Sequence, residues 1–205
     1  MKVHIVDYGM GNIFSVQKKL LQEDVSVTVS SNANDIDVAD KIILLGVGHF
    51  KKAMDNLHDL NLIEPLSNFA LVKKKPILGI CLGMQLMTKC SQEGGKVDGL
   101  SWIDAEVKKF TTSDSLQFKI PHIGWNTVQQ VKDSRLTQGL SSNEEFYFVH
   151  SYFVEPGSDD LILHQSSYIQ NFCSAFEKEN IFGLQYHPEK SHNAGQLMLQ
   201  NFLTL

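Results

Sequence analysis

The chain opens with a short alternation of apolar and polar residues over positions 2–7. It then repeats apolar residues at Ile13, Val16, Leu20 and Leu21, the spacing of one helix face. Between them lies Asp7-Tyr8-Gly9-Met10-Gly11-Asn12, so the first unit reads as strand, glycine turn, helix. Residues 25–29 form a β-branched alternation, and residues 41–45 and 76–80 are continuous apolar runs of the kind shown by parallel strands covered on both faces. Residues 50–72 carry a helical period that breaks near Asn61, with Pro65 suited to a first turn. The N-terminal part therefore predicts βα repeats.

Beyond Gly94-Gly95 the pattern changes to short strands separated by turn residues, at 103–110, 123–131, 146–154, 161–167, 172–177 and 181–185. A closing helix runs from His192 through Leu197, Met198, Leu199 and Phe202. No Pro/Gly/Ser-rich linker or internal repeat divides residues 1–205, which predicts one α/β domain. In such folds the chemistry gathers at the carboxyl ends of the strands.

Composition narrows the function classes. Hydrophobic residues make up 42 % and charged residues 20 %, within the globular range. Eighteen basic against 23 acidic side chains leave a net charge of −5, with both signs interspersed, which argues against a nucleic-acid or anionic membrane partner. The longest apolar stretch, residues 42–48, is far short of the roughly 20 residues a membrane helix requires. His4 and Asp7 interrupt the first apolar run too early for a signal-peptide core. Cys81, Cys90 and Cys173 are odd in number and form no CxxC pair, as expected of reduced thiols in a cytoplasmic protein.

Gly79-Ile80-Cys81-Leu82-Gly83 stands where a buried strand ends and the apolar run Met84, Leu86, Met87 begins. That is the layout of a nucleophile elbow: flanking glycines permit a tight turn, and a following helix aims its positive end at the sulfur. Taken alone, the same pattern also fits a buried structural cysteine. Continued as helix to Cys90, the run would hold the two sulfurs' Cα atoms about 13 Å apart, beyond disulfide reach. Cys90 and Cys173 lack glycine framing and read as core thiols.

A base for Cys81 is offered by Gln185-Tyr186-His187-Pro188-Glu189-Lys190-Ser191. Proline favours extended backbone at His187, and in an extended segment Glu189 projects to the same side and can hold the imidazole. A solvated turn is the alternative. Leu45-Gly46-Val47-Gly48 supplies glycine-flanked backbone past a strand, and the N–H groups of Gly48 and Leu82 are the candidate oxyanion donors. Neither glycine turn completes a nucleotide fingerprint: Phe14 stands where a third glycine belongs, and no GK[ST] occurs. The eight histidines include no HxxxH or HExxH pair, so no metal is expected. Lys73-Lys74-Lys75 reads as a solvated helix end.

With these pieces assembled, the chain resembles class I glutamine amidotransferases, and among them the glutaminase subunits of imidazole glycerol phosphate synthase. Besides the stretches above, Ile123-Gly124-Trp125-Asn126 and Tyr147-Phe148-Val149-His150-Ser151-Tyr152 carry the likeness, which runs end to end. The resemblance implies a central, mostly parallel sheet with flanking helices, flavodoxin-like, plus antiparallel strands in the C-terminal half. It implies that Cys81 attacks the side-chain amide of glutamine, that His187 protonates the departing ammonia and that Glu189 orients His187. By the same matching Gln85, Ser151 and Tyr152 contact the substrate, while Asn12, Trp125, Asn126 and Lys190 face a partner; for Trp125 a core role is equally open. The implied partner is a (β/α)8-barrel cyclase subunit in a heterodimer, and no cofactor is implied.

One departure is Leu45, where the family commonly has proline; it leaves one more N–H and a softer approach to the oxyanion loop. Two other functions stay in view. A paralogue could supply ammonia to a synthase for bacterial surface-sugar modification, a possibility raised by Trp102-Ile103-Asp104. A thiol sensor or non-catalytic module could share the fold, although such sensors place histidine where Leu82 stands.

Overall fold

The computed structural model of the chain describes residues 1–114 and 116–205. Its framework is a parallel block in which β1 (Lys2–Val6) lies between β2 (Ser26–Ser30) and β3 (Lys41–Gly46). β3 pairs with β4 (Ile77–Cys81), and β4 with the last strand, β13 (Ile181–Leu184), which is parallel to it. The order 2-1-3-4-13 is that of a flavodoxin-like sheet with its fifth place filled from the far end of the chain.

From β13 the sheet continues antiparallel through β12 (Asn171–Lys178), β10 (Tyr152–Pro156) and β7 (Ile103–Lys109). β5 (Thr88–Ser91) runs parallel to β7, with β6 (Val97–Asp98) beside it. β11 (Ile162–Ser167), β8 (His122–Gln130) and β9 (Asn143–His150) branch antiparallel from β12.

The continuous apolar runs have a plain cause. Along β3, Ile42 and Leu44 enter one core and Ile43 and Leu45 the other, so no position of that strand faces water. Val16 and Leu20 of α1 (Ile13–Leu20) meet Met198, Leu199 and Phe202 of α6 (His192–Thr204) in one core. Ile36 of α2 (Ala33–Val38), Phe50 and Leu57 of α3 (Phe50–Asp59) and Leu66 of α4 (Ile63–Ser67) lie in the other. The break near Asn61 is real, with a positive φ of 55° at that residue, and a π-helical turn, Asn68–Val72, completes the segment.

Two expectations need correction. The helix after Cys81, α5 (Leu82–Leu86), lasts five residues rather than running to Cys90. Its end is set by tertiary competition: Leu100 N–H bonds to Leu86 O, and Trp102 and Ile103 N–H to Met87 O, so the carbonyls that would extend it are taken. The three cysteines are nevertheless free and buried. The strand expected at 146–154 is two strands, β9 and β10, parted at Ser151. α2, β5 and β6 carry no recognisable local signal. Leu45 lies inside β3, in register with Ile80, so the sheet itself holds the approach to the Gly46 turn.

Lys73 and Lys74 pair with Asp37 and Glu179, a solvated arrangement as read from the sequence. Among the described residues no helix is long and apolar enough to cross a membrane.

Candidate active site

Three neighbouring parallel strands end side by side. Gly46 of β3 lies opposite Cys81 of β4, and Leu184 of β13 lies opposite Ile80, which brings Gln185 abreast of the cysteine. Cys81 has φ 53° and ψ −109°, a conformation costly for a residue with a Cβ and typical of a side chain lifted out of a strand end. The glycines flanking it are there for space. A Cβ on Gly83 would stand 1.7 Å from the Leu44 carbonyl oxygen, and one on Gly79 would stand 2.7 Å from the Met84 nitrogen. Strand and helix can pack this closely only without those side chains.

His187 follows β13 in extended backbone, and Pro188–Lys190 closes into a 3-10 turn. The turn, rather than the extended zigzag expected from the sequence, brings Glu189 beneath the ring: His187 Nδ1–H donates to Glu189 Oε1 at 2.8 Å, and both side chains are buried. The backbone is tied down as well. His187 N–H donates to Tyr147 O (2.9 Å), Ser191 Oγ–H donates to His187 O (2.6 Å), and Tyr147 N–H donates to Ser191 Oγ (3.0 Å). With Nδ1 committed to Glu189, the buried Nε2 has no other partner among the described residues and is left for the Cys81 sulfur.

Burial alone would lower the His187 pKa, but hydrogen bonding to Cys81 and Glu189, with their negative charge, outweighs it and lifts the value to about 9. These partners favour the charged form of the ring. Gln185, fully buried, points its Nε2 at Cys81 Sγ at 3.8 Å, and Val149 O lies 3.9 Å from the same sulfur.

Cys81 opens into a cavity of about 270 Å³ whose walls include Gly48, Leu82, Gln85, Ser151 and Tyr152, all of them expected at the site. Gln85 Nε2 is already engaged, donating to Tyr152 O and to Gln185 Oε1, each at 3.0 Å. Two lining or adjoining groups have no clear signal in the sequence. Glu93 reaches the cavity wall and accepts from Phe50 N–H at 2.6 Å; its only local mark is an acid beside Gly94-Gly95. Gln185 stands at the head of the His187 motif, but nothing in its spacing links it to Cys81.

The residues expected to face a partner lie outside this cavity. Asn12 and Lys190 are exposed, and Asn126 is half-buried. Trp125 is 44 % exposed and stacks on His192 with ring centroids 4.8 Å apart, so the core alternative fails. Lys190 Nζ sits 5.5 Å above the Tyr147 ring, whose edge also meets Trp125, which joins these side chains in one patch. Trp102 is a core residue whose Nε1–H donates to Ser67 Oγ. Cys173 is buried among apolar neighbours, which pushes its thiol up to about 12. Among the described residues no group of three or more His, Cys, Asp or Glu side chains is placed to hold a metal ion.

The profile of the family described as Glutamine amidotransferase class-I matches residues 4–205. The chain is 43 % identical over 203 residues to imidazole glycerol phosphate synthase subunit HisH 1 of Campylobacter jejuni strain RM1221, covering 99 % of this chain and 100 % of that one. It is 42 % identical to subunit HisH 2 of Methanococcus maripaludis, covering 98 % of each. A crystal structure of a glutamine amidotransferase from Thermotoga maritima superposes with a TM-score of 0.67 at 17 % identity, over 100 % of this chain and 83 % of that one. The chain belongs to the class I glutamine amidotransferase family, among its imidazole glycerol phosphate synthase HisH subunits.

Proposed function

We propose that the chain is the cytoplasmic glutaminase subunit of an imidazole glycerol phosphate synthase in histidine biosynthesis. It hydrolyses glutamine to glutamate and ammonia, and hands the ammonia to a (β/α)8-barrel cyclase subunit. The Cys81 thiolate attacks the side-chain amide carbon, and the N–H groups of Gly48 and Leu82 receive the oxyanion, each worth about 3 to 4 kcal/mol at the transition state. The C–N bond then breaks as His187 passes its proton to the departing nitrogen, leaving a glutamyl thioester. Neutral His187 next takes a proton from water, whose hydroxide attacks the thioester and releases glutamate and the thiolate. Gln85, Ser151 and Tyr152 hold the substrate, and Glu93 is the carboxylate suited to its α-ammonium group.

The observation that carries this assignment is the buried His187–Glu189 bond of 2.8 Å, which leaves the second imidazole nitrogen for Cys81 at the wall of a cavity the size of a small metabolite. The test is Cys81→Ser assayed with the barrel subunit. Glutamine-driven turnover is expected to fall at least about 10³-fold, while turnover driven by ammonium salts persists. Loss of both would place the chemistry elsewhere.

A second assignment, raised by Trp102-Ile103-Asp104, keeps the same chemistry with a different acceptor: a paralogous subunit feeding the synthase of a surface-sugar pathway. Restored growth without histidine in a strain lacking its own subunit favours the first assignment. Failure to restore it, with glutaminase activity intact, favours the second.

A further inference from the structure

We propose that His122 and His150 are positioning residues that fix the substrate-binding turn at Ser151 and Tyr152 through a one-way chain of hydrogen bonds. The chain begins at half-buried Asn126, whose Nδ2 lies 3.3 Å from His122 Nε2. His122 Nδ1 lies 2.9 Å from His150 Nε2, and His150 Nδ1 lies 2.8 Å from Tyr152 O. The pairing register of β8 with β9 sets His122 directly opposite His150, so the two rings meet because of the sheet and not because of any local motif.

The direction of the chain follows from valence. A carbonyl oxygen can only accept, so His150 carries its proton on Nδ1. A neutral imidazole has one donor, which leaves His150 Nε2 as an acceptor and requires a proton on His122 Nδ1. His122 Nε2 is then an acceptor, filled by the Asn126 amide N–H, which also donates to Ser167 O at 2.9 Å. Any other tautomer sets two donors or two lone pairs face to face inside the protein. A protonated ring does the same, and the surroundings disfavour one: His122 is stacked between Tyr168 (4.0 Å) and Phe148 (4.9 Å), and His150 touches Phe110 and Phe172. Burial lowers His122 to about 4. It lowers His150 to about 3, despite the opposing bond to Tyr152 and with help from the charge of His187.

The far end of the chain matters because of where it lands. Ser151 interrupts the strand between β9 and β10, and its carbonyl is held by Phe110 N–H at 3.0 Å. The next carbonyl, that of Tyr152, is held by His150 together with Gln85. Both residues and Gln85 line the cavity beside Cys81. Without His150 the Tyr152 carbonyl keeps one tether, on a side chain that itself lines the cavity. The predicted defect is therefore in substrate binding more than in bond breaking.

The kinetic arm of the test rests on the glutaminase assignment, and the spectroscopic arm does not. Long-range ¹H–¹⁵N correlation spectra of the full-length chain at neutral pH are expected to show both rings neutral, protonated at Nδ1 and bare at Nε2. That is the less favoured tautomer of free imidazole side chains. An Nε2–H form of either ring, or an imidazolium, would overturn the proposal. In the glutaminase assay with the barrel subunit, His150→Phe is expected to raise KM for glutamine about tenfold, the equivalent of one hydrogen bond, with kcat little changed. His150→Asn, which restores an amide N–H near the Nδ1 position, is expected to bring KM most of the way back. An unchanged KM in His150→Phe, or a loss confined to kcat, also overturns it. Should wild-type chain hydrolyse no glutamine, the assignment of function fails, and the tautomers decide this proposal by themselves.

Discussion

The parallel and antiparallel halves of this sheet contribute to one cavity by different means. On the parallel side, β3, β4 and β13 present Gly46, Cys81 and Gln185 abreast because main-chain ladders fix their register. Cys81 thus sits at the end of a strand whose every residue is buried. On the antiparallel side, Ser151 stands between two strands and Glu93 on a connection, and side-chain groups join the main-chain bonds that hold them: Phe110 N–H on the Ser151 carbonyl, His150 and Gln85 on that of Tyr152, and Phe50 N–H on the Glu93 carboxylate. Under the proposed function the first side carries the nucleophile and the second the substrate contacts. Substitutions on the first side should therefore act on kcat, and substitutions on the second on KM.

The sharpest way to break that division is Glu189→Gln, which keeps the shape beneath His187 but removes the charge that holds its tautomer and its proton. A fall in kcat of about 10² to 10⁴-fold is expected with a small change in KM, read from steady-state ammonia release in the presence of the barrel subunit. A large KM effect instead would show that the two sides are not separable.

A smaller effect tests the parallel side through pH. Because His187 is lifted from 6.5 to about 9, it holds the proton needed by the departing ammonia below that value and loses it above. kcat is expected to fall about tenfold per unit on the alkaline side of pH 9. The same shift stabilises the fold fully below pH 6.5, and that stability is lost as pH rises through about 9. An alkaline limb centred near 6.5 would mean the ring is not coupled to Cys81 and Glu189.

The mildest prediction belongs to the other side. Glu93→Gln retains an acceptor for Phe50 N–H but removes the cavity's carboxylate, so KM for glutamine should rise about tenfold with kcat nearly unchanged. A variant that loses kcat instead would indicate that the Phe50 bond, which anchors the residue two beyond Gly48, matters more than the charge.

The same contrast explains what could be read from the sequence. The parallel strands are visible because each is apolar throughout, and Cys81, His187 and Glu189 because strand ends, glycines and a proline announce special backbone beside them. The short α5 is not visible: its apolar spacing supports a longer helix, and only the arrival of Leu100, Trp102 and Ile103 on its last carbonyls ends it. Gln185, Glu93 and the His122–His150 pair are equally hidden, since a contact made across register has no signature in either local segment. Trp125 is undecidable by composition, and its 44 % exposure removes the core alternative.

The Tyr152 carbonyl takes donors from two side chains, one on each flank, and both of its lone pairs are thereby occupied. An amino acid entering beside it finds no acceptor on that oxygen. Should glutamine be the guest, its ammonium end is left to the Glu93 carboxylate on the cavity wall, and a ligand presented in reverse meets an oxygen that has nothing left to offer.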